Sequence, residues 1–260
     1  MLFPISDDDR LLDGPAWATV LLIVANVLVF GLQLADPAVT YGWSAVPEEL
    51  TSGRDLANDR PIPEVDPAAE VRTPADIPQR PGPGPAPWIY LTVLSSMFMH
   101  GGYAHIAGNV LYLWIFGDNV EHRFGTGPFL LFYLASGVAA TALQVALGPH
   151  GLVPTLGASG AISGVLGAYL VLFPTNRVYA LFFFRVVSVP AVVVLGLWVA
   201  FQFVNGYGAI ASAEQMGGVA YGAHVGGFVT GAAIALVLRA RGLREQPNAL
   251  ARAEAVGRRR

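Results

Sequence analysis

The chain has 260 residues, 54% of them apolar and only 13% charged, where an ordinary soluble domain carries roughly a quarter charged; this is the balance of a membrane protein. All fifteen basic residues are arginine and cysteine is absent, which excludes lysine Schiff bases, serine-lysine dyads, disulfides, thiol nucleophiles and cysteine-ligated metal centres. The net charge of -3 gives no reason to expect a nucleic-acid partner.

Residues 1–15 hold Asp7, Asp8 and Asp9 against Arg10 alone, so the apolar run 16–34 lacks the basic flank of a cleaved signal peptide and reads as a retained first transmembrane helix. Between 36 and 87 lie eleven of the nineteen prolines and nine of the eighteen acidic residues. Residues 35–101 are therefore expected to form a long, mostly irregular, Pro-rich first outer loop. It ends in an apolar stretch, 88–99, too short to span and suited to a re-entrant or interfacial helix. Residues 102–239 carry five more apolar runs: 102–121, 127–147, 158–173, 190–204 (with a start as early as 178 left open) and 217–238. The expectation is an all-α membrane protein with six transmembrane helices. Seven arginines from Arg239 onward, most in the tail 240–260, place both termini in the cytoplasm by the positive-inside rule. Arg123, Arg177 and Arg185 fall on that side, and the loops 148–157 and 205–216, which have no arginine, fall outside.

Polar residues inside apolar spans are costly unless paired and are functional candidates by default. Here they are His105 and Asn109 in the second span, Ser159 at the start of the fourth, and His224 in the sixth. Ser159 and His105 each precede an arginine, Arg177 and Arg123, by eighteen residues, and His224 precedes Arg239 by fifteen. At 1.5 Å per residue they share one depth to within roughly 5 Å. Small residues at intervals of four, Gly160 and Gly164 in one span and Gly218, Gly222, Gly226, Gly227 and Gly231 in the other, allow the fourth and sixth spans to approach closely. A serine hydroxyl needs a base to take its proton, and histidine is the commonest near neutral pH; Ser159 and His224 fit these roles. Gly157-Ala158-Ser159-Gly160 opens a helix, where free backbone amides can face an oxyanion. His105 and Asn109, four apart on one helix face, can add side-chain donors.

Other readings of these residues stand beside this one. Serines in membrane helices usually bond their own backbone, as is expected of Ser95, Ser96, Ser136, Ser163 and Ser188. His100, His105 and His224 could form a three-histidine zinc site, but the His-Glu-x-x-His pattern of metalloproteases is missing, so no metal is expected. Paired intramembrane carboxylates are missing too. His122 and His150 are expected to be solvated.

The segments His100-Gly-Gly-Tyr-Ala-His105-Ile-Ala-Gly-Asn109, Glu121-His-Arg-Phe-Gly125, Gly157-Ala-Ser159-Gly160 and Ala223-His224 among spaced glycines resemble the rhomboid intramembrane serine proteases, over about residues 92–239. The chain departs from that pattern in having Leu91-Thr92 where many relatives carry tryptophan-arginine. The resemblance implies a six-helix bundle with Ser159 as nucleophile and His224 as base, His105, Asn109 and the Gly157 segment serving the oxyanion. It also implies transmembrane protein substrates cut near the outer face of a cell membrane, with no cofactor. A catalytically silent rhomboid-like scaffold or quality-control protein is the alternative; such proteins typically lose the serine or the histidine. A transporter would need a polar path through the cytoplasmic halves of the spans, which are almost wholly apolar.

Overall fold

The computed structural model describes residues 2–8, 14–56, 87–212 and 220–242. Three of its helices are long and apolar enough to cross a membrane: α1 (Trp17–Ala35), α6 (Thr126–Leu147) and α9 (Tyr221–Ala240). They match the apolar runs read from the sequence to within a few residues. Between them lie α2 (Pro37–Trp43), α3 (Pro47–Ser52), α4 (Thr92–Ser95), α5 (Tyr103–Phe124), α7 (Ser159–Leu172) and α8 (Ala191–Ser212). The 22-residue α5 is as long as α6 but carries Asp118, Asn119, Glu121, His122 and Arg123 in its last two turns.

The core lies where α1, α5, α6, α7 and α9 meet, around the fully buried Leu113, Phe116, Phe129, Tyr133, Val165 and Tyr169. Side chains on the far face of α1, among them Trp17, Leu21, Leu28 and Leu32, are exposed, as suits a helix whose outer solvent is lipid. Helix α7 packs on α9 backbone to backbone. A Cβ placed on Gly227 would run into the Gly160 carbonyl, and one on Gly231 into that of Gly164. Gly222 faces elsewhere, with Gln144 Oε1 2.6 Å and Leu147 Cδ1 2.8 Å from its missing Cβ. Of the evenly spaced glycines, then, Gly227 and Gly231 make the α7 contact, while Gly222 and Gly226 fit against α6; Gly218 lies outside the described residues.

Helix ends are closed by distant side chains. No side chain of its own caps α1, and the Glu121 carboxylate of α5 accepts from the Ala18 and Thr19 amides at 2.9 and 2.7 Å and from Thr19 Oγ1 at 2.9 Å. An acidic group there also meets the positive end of the helix dipole. Thr126 Oγ1 donates to the same carboxylate at 2.9 Å, tying in the start of α6 across Gly125, whose φ of 87° suits glycine.

Several expectations need correction. The chain is not all-α: β1 (Leu2–Asp7) pairs antiparallel with β2 (Arg177–Phe182), and β2 with β3 (Arg185–Pro190). The stretch from 178 to 190 is thus a hairpin rather than an early start of the fifth span; its alternation of buried Val178 and Ala180 with less buried neighbours is the period of a strand. Pro4 is accommodated because β1 is an edge strand. Helix α8 continues to Ser212 through residues read as an outer loop. The stretch read as an outer loop holds order where it is described: α2 and α3 are docked by an Ala45–Thr155 bridge and by the Thr51 hydroxyl on the Pro149 carbonyl at 2.8 Å. The 88–99 stretch is a short apolar helix, Trp88–Phe98, as expected, but of mixed type: a single α-turn, α4, lies between two 3-10 turns, Trp88–Leu91 and Ser96–Phe98. There the Thr92 and Ser96 hydroxyls bond the carbonyls of Ile89 and Val93 at 2.7 and 3.2 Å and compete with regular helix. Residues 57–86 and the tail beyond 242 lie outside the described residues.

Candidate active site

Helix α7 begins at Ser159, two residues after Gly157, whose φ of 126° disfavours any side chain. A Cβ there would also sit 2.8 Å from His105 Nε2 and 3.5 Å from Ser159 Oγ; the missing side chain is what lets these two groups border one point. The first amide bonded within the helix is that of Ile162, to the Ala158 carbonyl at 2.9 Å, which leaves the Ser159, Gly160 and Ala161 amides without intrahelical acceptors. The Gly157 amide is different, since it donates to the Ser96 carbonyl at 2.9 Å. The Gly157 amide, expected to serve an oxyanion, is thus already taken, and what Gly157 supplies at the start of α7 is room. Ser163 behaves as an ordinary membrane serine, its hydroxyl bonding the Ser159 carbonyl at 2.6 Å.

Opposite Ser159, the first turn of α9 is held by Gln144 of α6, whose Oε1 accepts from the Ala223 amide at 3.2 Å. The next residue is His224. Its Nε2 lies 2.9 Å from Ser159 Oγ, and its Nδ1 lies 2.8 Å from Gln202 Oε1. A neutral imidazole has one N–H. If it is spent on the Gln202 oxygen, Nε2 carries a lone pair turned to the serine hydroxyl. Trp198 lies tilted beside the ring, with centroids 6.0 Å apart, and Tyr221 meets it edge-on at 6.5 Å.

His105 is oriented in the opposite sense. Its Nδ1 accepts from the Gly101 amide at 3.2 Å, which puts the proton on Nε2, the atom beside Gly157. One turn along, Asn109 is buried, and its Nδ2 has no hydrogen-bond partner among the described residues. A buried amide nitrogen left unpaired costs stability unless something else comes to use it. The loop before α5 is clamped by Gln33 of α1, which accepts from the His100 amide at 2.9 Å and donates to the His100 carbonyl at 3.2 Å. Burial first, and then the neighbouring His105, push the His100 imidazole down to about 4, so it is neutral near pH 7.

His100 and His105 meet edge-on, with ring centroids 5.1 Å apart, but among the described residues no three His, Cys, Asp or Glu side chains gather as a metal site would require. His122 is not simply solvated: its Nδ1 lies 2.8 Å from the Asp118 carbonyl and its Nε2 3.1 Å from that of Gly14. His150 is exposed and 2.9 Å from Glu48 Oε2. Gln202, Gln144 and Gln33 escaped the reading of the sequence. The only signal for them was a lone amide in an apolar run, and that does not tell which neighbour it faces.

The family model described as Rhomboid domain matches residues 87–241. The chain is similar to Rhomboid protease GluP of Bacillus subtilis, 35% identical over 144 residues, which are 55% of this chain and 26% of that protein. It is similar to Rhomboid protein 1, mitochondrial, of Saccharomyces cerevisiae, 34% identical over 145 residues, 54% and 40% of the two chains. It is also similar to the human Presenilin-associated rhomboid-like protein, mitochondrial, 36% identical over 94 residues, 35% and 24% of the two chains. The chain thus spans well under half the length of each of these relatives.

Proposed function

The chain belongs to the rhomboid family, and we propose that it is an intramembrane serine endopeptidase cutting transmembrane segments of other membrane proteins near the outer membrane face. The observation that carries this is the 2.9 Å approach of His224 Nε2 to Ser159 Oγ, two side chains 65 residues apart meeting at the start of a short helix. His224 takes the Ser159 proton as Oγ attacks the scissile carbonyl carbon. The resulting oxyanion is met by the Ser159 amide, His105 Nε2–H and Asn109 Nδ2, in a setting where fixed donors are worth more than in water. His224 then gives the proton to the leaving amine, and water hydrolyses the acyl-enzyme by the same base. No group beyond these residues is needed for the steps.

In this reading six helices span: α1, α5, α6, α7, α8 and α9, with both termini in the cytoplasm of a cell membrane, α2 and α3 outside, and Arg123, Arg177, Arg185 and the tail arginines toward the cytoplasm. Helix α7 is 14 residues, about 21 Å, short of the roughly 30 Å hydrocarbon core. That supports a serine recessed below the outer surface yet open to a substrate helix arriving from lipid.

The test is labelling by a fluorophosphonate together with cleavage of a transmembrane reporter in detergent. Wild type should react and cut; Ser159→Ala and His224→Ala should do neither while keeping their thermal unfolding transitions. A wild type that never labels or cuts would favour the silent scaffold instead.

A further inference from the structure

Helix α8 turns Val192, Val193, Leu197, Phe201, Phe203 and Val204 outward. A primary amide on such a helix is costly in an apolar setting unless it finds a partner. Gln202, only 6% exposed, points inward, and its Oε1 sits 2.8 Å from His224 Nδ1. Trp198, one turn earlier on the same helix, lies tilted beside the same ring, so α8 flanks the imidazole with an indole and an edge hydrogen bond. The two ring bonds run in one line of groups: Ser159 Oγ, His224 Nε2, His224 Nδ1, Gln202 Oε1.

We infer that Gln202 is a positioning residue, which selects the tautomer of His224 and so makes Nε2 the proton acceptor; this rests on the reading of Ser159 and His224 as the reacting pair. The chemistry is asymmetric. With the amide oxygen toward the ring, Nδ1 must donate and Nε2 is bare. With the NH2 toward the ring, Nδ1 must accept, Nε2 carries the proton, and the ring can no longer take one from Ser159. As the proton crosses from Oγ to Nε2 the ring becomes cationic, and the Nδ1–H bond to the amide oxygen becomes charge-assisted and stronger. The amide therefore helps more in the transition state than in the resting enzyme. The other groups facing the ring are His105 from α5, Tyr221 from its own helix and the Ser159 hydroxyl from α7; none of them accepts from Nδ1 among the described residues.

The test uses the full chain in detergent with the reporter, comparing Gln202→Leu, which keeps bulk and removes the acceptor, with Gln202→Glu, which keeps the acceptor. Outer partners that orient metal-bound histidines matter by about ten- to a hundredfold; by that analogy Gln202→Leu is expected to lower kcat and the fluorophosphonate labelling rate by such a factor, with KM unchanged. Gln202→Glu is expected to retain most of kcat and to move the acidic limb of kcat/KM to higher pH, because a carboxylate favours the imidazolium. Wild-type kcat in Gln202→Leu, or an unmoved limb with no rescue in Gln202→Glu, overturns the inference. Labelling is scored per folded molecule, so a loss through unfolding is separated from a loss of rate. Labelling of Ser159→Ala would instead sink the assignment of the reacting pair itself, whatever the Gln202 variants do.

Discussion

The two ends of α7 both bury polar groups, and they treat them oppositely. Beyond its last turns, Asp7 of β1 accepts from Asn119 Nδ2 at 2.8 Å and from the Tyr169 hydroxyl, while Asn176 donates to that hydroxyl at 2.7 Å and to the Asp8 carbonyl at 3.2 Å. Close by in sequence to Asn119, Glu121 gathers four donors from α1 and α6. At the Ser159 end the amide nitrogen of Asn109 is buried without a partner among the described residues, and the first amides of α7 have no acceptor in the helix. Native proteins seldom leave buried donors idle. A network closed upon itself specifies the fold, whereas one left open toward a single point suits, under the proposed function, charge that arises only during reaction.

The largest effect should come from separating the helices that carry both ends. In Gly231→Leu the new side chain would meet the Gly164 backbone, which cannot move aside, so both unfolding temperature and peptide cleavage should collapse. In Gly222→Ala the new Cβ would meet the side chains of Gln144 and Leu147, which can shift, and the losses should be much smaller. Equal losses in the two variants, measured by thermal unfolding, would show that α7 and α9 are not held by their backbones.

Asn109→Ala sharpens the contrast at the open end. Loss of one oxyanion donor typically costs about two to three orders of magnitude, and the Ser159 amide and His105 remain, so kcat should fall roughly ten- to a thousandfold with KM little changed. Because its Nδ2 is unpaired at rest, the unfolding temperature should hold or rise. A lowered melting point with intact kcat per folded molecule would make Asn109 a structural tie.

Glu121→Ala should behave as the mirror image. It strips the N-terminus of α1 of its acceptor, which caps of this kind make worth about 1–2 kcal/mol, so stability should fall while kcat of the folded fraction stays put. A changed kcat would mean the closed end reaches the site.

The last effect appears only on acidification. His100 is held at about 4 against an ordinary value of 6.5, so the folded state binds fewer protons than the unfolded chain between those values. Its contribution is complete above about 6.5 and is lost as pH falls toward 4. His100→Gln should flatten that part of the melting-temperature profile, and an unchanged slope would assign it to other groups.

What the amino-acid sequence determined by itself is what depends on near neighbours and on lipid. Uninterrupted apolar runs placed α1, α6 and α9. Spacing by four put His105 and Asn109 on one face of α5, and a glycine followed by Ala158-Ser159-Gly160 marked the start of α7. Tertiary structure alone decided which groups meet: Gln202 with His224, Glu121 with the start of α1 over 102 residues, β1 with a hairpin more than 170 residues away, and Gly222 with α6 rather than α7. A strand edge, a helix end or a lone amide announces a need for a partner, but every distant donor of the right kind satisfies that need equally in one dimension. Only the rotation and crossing of packed helices, fixed by how small residues on one backbone fit against another, brings a single one within 3 Å.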